Sequence, residues 1–237
     1  MTHSAGAVVF GIAHTPESGR KAVASYKRFG LKEGDVVAVE YTPVELTKIL
    51  QYLEDGTIEK RIQQARGEME SLSLQLASKD ISVDDRKVLM QKHEWASHTY
   101  GGYGYLHTVF PFLLKKGARI VGFENNSKDA LMRKSRKGYG SGRVLSRNEH
   151  RLLSFLLLPV RERKWNKKLK EIRPDFIECG YNHVPAIKKA IPCKAILDLT
   201  GLKLSEKIKY RLQAARIRAH YNIYRAAKRL RHRARRL

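Results

Sequence analysis

Two short stretches of this chain end alike, in a glycine followed three positions later by histidine: Gly11-Ile-Ala-His14 and Gly180-Tyr-Asn-His183. Each follows an apolar, β-branched run, so each histidine is expected at the end of a strand. In a parallel sheet the carboxyl ends of the strands meet on the edge where ligands bind. Two histidines delivered there can share a metal ion or flank one substrate. Glu40 closes a second such run, Asp35-Val-Val-Ala-Val-Glu40, and Glu124 closes a third, Ala118-Arg-Ile-Val-Gly-Phe-Glu124. Polar side chains end many strands, so no single one of these is informative; the gathering of four on one rim would be.

The elements that must carry them can be read from the same pattern. Ala7–His14 and Asp35–Glu40 read as buried strands, separated by an amphipathic helix from Pro16 to about Phe29 that Gly30 ends. Thr42 is a natural N-cap with Pro43 in the first turn of the next helix. Residues 57–116 read as a helical insertion interrupted at Tyr100-Gly-Gly-Tyr-Gly-Tyr105. Strand character returns at 118–124, then a long helix over about 146–171, a strand at Asp175–Gly180, a short helix near 184–191 and a last strand at Lys194–Leu199. Alternation of this kind predicts an α/β fold with a mostly parallel central sheet, flanking helices and a helical insertion, over residues 1–203.

Charge divides the 237-residue chain. The formal net charge is +24, yet residues 1–100 hold 13 basic and 14 acidic side chains while residues 101–237 hold 34 basic and 9 acidic. A one-sided excess of that size is an electrostatic footprint for phosphate. It falls on three elements. The first is the loop Arg133-Lys-Ser-Arg-Lys-Gly-Tyr-Gly-Ser-Gly-Arg143, where Arg133, Lys134, Arg136, Lys137 and Arg143 surround Tyr139, which can stack on an unpaired base. The second is the helix carrying Lys164, Lys167 and Lys168.

The third is the segment 204–237, a long basic C-terminal helix in which Ile208, Leu212, Ala215, Ala219, Ile223, Ala226 and Leu230 recur at steps of three or four. Its other faces hold Arg211, Arg216, Arg218, Arg225, Lys228, Arg229, Arg231, Arg233, Arg235 and Arg236. Like charges this dense destabilise an isolated helix, so its distal half is expected to order on a partner.

The order of motifs resembles the TraB/Tiki superfamily, whose relatives include ChaN-like and erythromycin-esterase-like proteins. The likeness rests on Gly11–His14, Val37-Val-Ala-Val-Glu40, Gly117-Ala-Arg-Ile-Val-Gly-Phe-Glu124, Ala130-Leu-Met-Arg133, Arg161-Glu-Arg-Lys-Trp165 and Gly180–His183. It spans about residues 7–200. Glu124 stands where the family usually has Asp, Asn125 where it has Arg, and Glu162 where it has Asn. The resemblance implies metal-assisted hydrolysis: His14 and His183, with Glu40 or Glu124, would hold a divalent metal ion. The remaining carboxylate would act as general base, and Arg161 or Arg163 would stabilise developing negative charge.

Function is therefore expected in one of three classes. The first is a nucleic-acid-binding protein, with RNA or a ribonucleoprotein favoured over DNA because no helix-turn-helix or zinc-finger spacing occurs. The second is a metal-dependent hydrolase. The third, an anionic-membrane binder, is disfavoured because the tail's apolar stripe is alanine-rich and lacks Trp and Phe. A cytoplasmic location is expected from the lack of a basic, apolar leader. The longest apolar run, Leu152–Val160, is too short to cross a bilayer. Cys179 and Cys193 are expected as free thiols.

Overall fold

A computed structural model of the chain describes residues 6–78, 80–124 and 147–208, together with 211, 212, 215, 216, 218, 219, 222 and 223 of the tail. Five strands, β1 (Ala7–Ile12), β2 (Val36–Val39), β3 (Arg119–Gly122), β4 (Phe176–Gly180) and β5 (Cys193–Asp198), form one sheet in the order β3-β2-β4-β1-β5. Every pairing is parallel. β1 and β2 therefore flank β4, with Gly11 opposite Cys179 and Val39 opposite Glu178. Their carboxyl ends open on one rim, as the alternation predicts.

Helices cover both faces of the sheet. On one lie α1 (Pro16–Arg28), α2 (Pro43–Glu54), α3 (Thr57–Ala77) and α4 (Val83–Lys115). Phe10, Tyr26, Tyr105, Phe110 and Phe176 form the centre of that core and are nearly inaccessible. On the other lie α5 (Arg147–Ile172) and α6 (Val184–Ala190), with Trp165, Leu169, Phe123 and Ile177 fully buried between them and the strands. Local chemistry sets the helix starts. Thr15 accepts from the Ser18 amide at 3.1 Å, and Thr42 and Glu45 form a reciprocal capping box with Pro43 in the first turn.

One expectation is corrected. The helical insertion does not break at Tyr100–Tyr105; α4 runs through it, and the break lies between Ala77 and Val83, where Ser82 caps the second helix. The glycines act in packing. A Cβ at Gly101 would sit 2.7 Å from the carbonyl oxygen of His14, and one at Gly104 would sit 2.6 Å from Pro16 Cγ. Both let α4 press on the β1–α1 turn, where His14 itself adopts a left-handed φ of 46°.

The tail's described residues between 204 and 223 are helical. Cys179 and Cys193 are both free thiols, the first buried. Among the described residues no helix is long and apolar enough to cross a membrane.

Candidate functional site

The rim is organised by α5, which passes across the ends of β2, β3 and β4. One turn of it, Arg161-Glu162-Arg163-Lys164-Trp165, supplies three inward side chains at the spacing of a single helical face: Arg161, Glu162 and Trp165. Arg163, Lys164 and Lys167 are exposed, and Lys168 is half-buried.

Arg161 lies between the two strand-end glutamates. Its Nη2 donates to Glu40 Oε1 at 2.8 Å and also to Glu124 Oε2, and its Nε donates to Glu124 Oε2 at 2.9 Å. The rest of each carboxylate is engaged as well. The Gly180 amide donates to Glu40 Oε2 at 2.8 Å, and the Trp165 indole donates to Glu124 Oε1 at 3.1 Å. The Arg161 guanidinium also lies over the Trp165 ring, 4.7 Å from its centre.

His183 stands beside this pair. Its ring packs edge-on against Trp165 at 4.7 Å. Its Nδ1 is 3.1 Å from Glu162 Oε1, and its Nε2 is 3.8 Å from Glu40 Oε1. The tail completes the cluster: Arg218 Nε donates to Glu162 Oε2 at 3.0 Å, and its Nη2 donates to Glu162 Oε1 at 2.5 Å and to the Asn182 carbonyl at 2.7 Å.

Electrostatics follow from that wiring. Burial alone would push the Glu40 carboxyl up, but His183, Arg161, His14 and the Gly180 amide outweigh it and hold Glu40 at about 2. Burial opposes ionisation of Glu162 too, and its bonds to His183 and Arg218 bring it below the usual carboxylate range. The Arg161 guanidinium is desolvated, yet Glu40 and Glu124 drive it above its ordinary value.

Of the four strand-end residues, Glu40, Glu124 and His183 are thus joined through Arg161 and Glu162. His14 sits to one side, its ring 5.5 Å from Tyr105 and 6.4 Å from Tyr41, close enough to act on Glu40 through its charge. Arg161, not Arg163, reaches the carboxylates. A divalent ion would need several of these donors on one point. Instead a guanidinium already lies between Glu40 and Glu124, and Glu162 holds His183. Among the described residues no group of three or more His, Cys, Asp or Glu is placed to hold a metal. These donors do not fit an ion in this arrangement.

A further buried carboxyl lies on the opposite face of the sheet. Glu178 is mid-strand in β4, 1 % exposed, and accepts a 2.6 Å hydrogen bond from the Tyr26 hydroxyl. Burial lifts it to about 7, against the opposing pull of the Tyr26 and Tyr105 hydroxyls. Sequence reasoning missed Glu178 as a buried group and missed the Glu162–Arg218 contact. The only signal for the first was an acid inside the apolar run Phe176-Ile-Glu-Cys179.

Of the basic residues picked from sequence, Arg211 and Arg216 are exposed, and Arg211 lies over the Tyr181 ring at 4.9 Å. Arg133, Lys134, Arg136, Lys137, Tyr139 and Arg143 lie outside the described residues, as do Arg225, Lys228, Arg229, Arg231, Arg233, Arg235 and Arg236. Comparison with protein-family models, curated proteins and solved structures finds no match.

Proposed function

We propose that this chain is a cytoplasmic nucleic-acid-binding protein, acting on RNA in preference to DNA or on a ribonucleoprotein, built on a TraB/Tiki-like scaffold. One observation carries the reading. The rim carboxylates Glu40, Glu124 and Glu162 are each bonded to a cation of the chain itself, while Arg163 and Lys167 of α5 face solvent beside the basic tail. The Arg218–Glu162 contact brings these two basic elements together on one surface. A cluster of outward cations on a half-chain with 34 basic and 9 acidic residues attracts a phosphate backbone by counterion release.

The test is binding of the full chain to structured RNA and to duplex DNA across a salt series, with and without residues 204–237. A log–log slope of several units that falls sharply in the truncated chain supports the reading. Weak binding with a shallow slope for both nucleic acids overturns it.

A metal-dependent hydrolase is the second reading: Glu40, Glu124 and His183 meet at the carboxyl ends of three strands, and Arg161 and Glu162 would have to release them before an ion could bind. It requires stoichiometric divalent-ion binding that the His14→Ala/His183→Ala double variant loses while its fold persists. Retention on anionic vesicles without nucleic-acid binding would instead favour the membrane reading.

A further inference from the structure

The described residues of the tail meet the body through charge. Leu204, Ile208, Leu212 and Ile223 are 73, 49, 65 and 67 % exposed. Among the described residues of the tail, three cationic side chains touch the body. Lys207 Nζ is 3.0 Å from Asp198 Oδ2 at the end of β5, Arg211 lies on the Tyr181 ring, and Arg218 closes on Glu162 and the Asn182 carbonyl. Lys207, Arg211 and Arg218 recur at helical spacing along one edge. The two ion pairs, Lys207–Asp198 and Arg218–Glu162, are weakened by salt and open to competition by polyanions.

The last contact of that row falls on the rim. Glu162 is the residue that holds His183 through Nδ1, and the guanidinium of Arg218 covers its remaining acceptor sites. Glu162 and His183 side chains are only 7 and 9 % exposed with the tail in place. The same cation thus covers a buried Glu–His pair.

We propose that the tail is a latch: Arg218 closes the Glu162–His183 pair in the free protein, and a polyanion that engages the tail withdraws Arg218 and opens the pair. This deepens the nucleic-acid reading and rests on it for the identity of the polyanion. It couples occupancy of the basic tail to the state of the strand-end site by competition for one guanidinium, with no change required in the sheet.

The experiment is histidine modification by diethyl pyrocarbonate, with the His183 peptide followed by mass spectrometry. It uses the full-length protein alone, with saturating heparin, and with structured RNA, and binding is read by fluorescence anisotropy in the same samples. The Arg218→Ala variant is run in parallel, with its circular dichroism compared to wild type. Heparin and RNA are expected to accelerate His183 labelling several-fold. R218A is expected to label at the accelerated rate unaided and to show no further response. His98, exposed on α4, serves as an internal control whose rate should not change.

If heparin binds and His183 labelling is unchanged or slowed, the latch is overturned. It is equally overturned if folded R218A labels at the wild-type rate. If heparin opens the site but RNA does not bind, the latch stands and the nucleic-acid reading falls. If RNA binds and labelling does not move, the reverse holds.

Discussion

Arg161 joins the ends of two adjacent strands, donating to Glu40 after β2 and to Glu124 after β3. The carboxylates are 13 and 0 % exposed and the arginine 18 %, so all three have given up most of their water. A buried ion pair of this kind adds little net stability over an apolar substitute, but removing one partner strands the others. Arg161→Met is therefore expected to cost about 3–5 kcal/mol, because two buried carboxylates lose their shared cation. Arg161→Lys should cost less but not be silent, since a single ammonium cannot reproduce the fork that spans both acids. Urea denaturation checks this, and an R161M midpoint equal to wild type would contradict it.

Acid sensitivity should come from the same cluster. Glu40 is held at about 2 against an ordinary value of 4.5, so its folded pKa is depressed. The stability it confers is present above pH 4.5 and is lost as pH falls toward 2. The difference corresponds to about 3 kcal/mol. Glu40→Gln should remove that slope: the stability gap between wild type and E40Q narrows progressively from pH 5 down to pH 2. Chemical denaturation at intervals over that range reads it directly, and a constant gap would rule it out.

Glu178 has the opposite sign. Its folded pKa is raised to about 7, chiefly by burial, while the unfolded carboxyl ionises at its ordinary 4.5. Stability from the protonated form is complete below pH 4.5 and is lost as pH rises through 7. The groups facing it are the Tyr26, Tyr105 and Tyr41 rings, all uncharged over this interval. Glu178→Gln keeps a neutral acceptor for the Tyr26 hydroxyl and removes the titration. E178Q should therefore match wild type near pH 4.5 and exceed it by about 3 kcal/mol near pH 8. A gap that stays flat between those pH values would show that Glu178 titrates normally.

Much of the architecture was legible because it depends on local pattern. Short β-branched runs alternating with capped helices gave the parallel sheet, and the strand ends gave Glu40, Glu124 and His183. The partners of those residues were not legible, because they are set by tertiary contact. Glu162 and Arg218 are 56 residues apart, and Tyr26 and Glu178 are 152 apart. No spacing rule links such positions. A resemblance-based role for Arg161 as a charge stabiliser also gave no hint that it would lie between both acids. The run Tyr100–Tyr105 misled for a related reason: glycine at helical spacing signals a break when read locally, and a close contact when its neighbour is known.

That difference between two readings of glycine gives the last prediction. Gly101 and Gly102 are adjacent in α4, and alanine is the better helix former at both by about 1 kcal/mol. A Cβ at Gly102 meets nothing within 4 Å, so Gly102→Ala should stabilise the protein by roughly 0.5–1 kcal/mol. A Cβ at Gly101 would fall 2.7 Å from the carbonyl oxygen of His14, a backbone atom in a turn already at positive φ. Gly101→Ala must then push α4 off the β1–α1 turn, and overpacking of that sort costs about 1–3 kcal/mol, more than the helix gains. The two neighbouring substitutions should move the thermal midpoint in opposite directions. If both raise it, α4 does not press on His14 and the glycines serve only the helix itself.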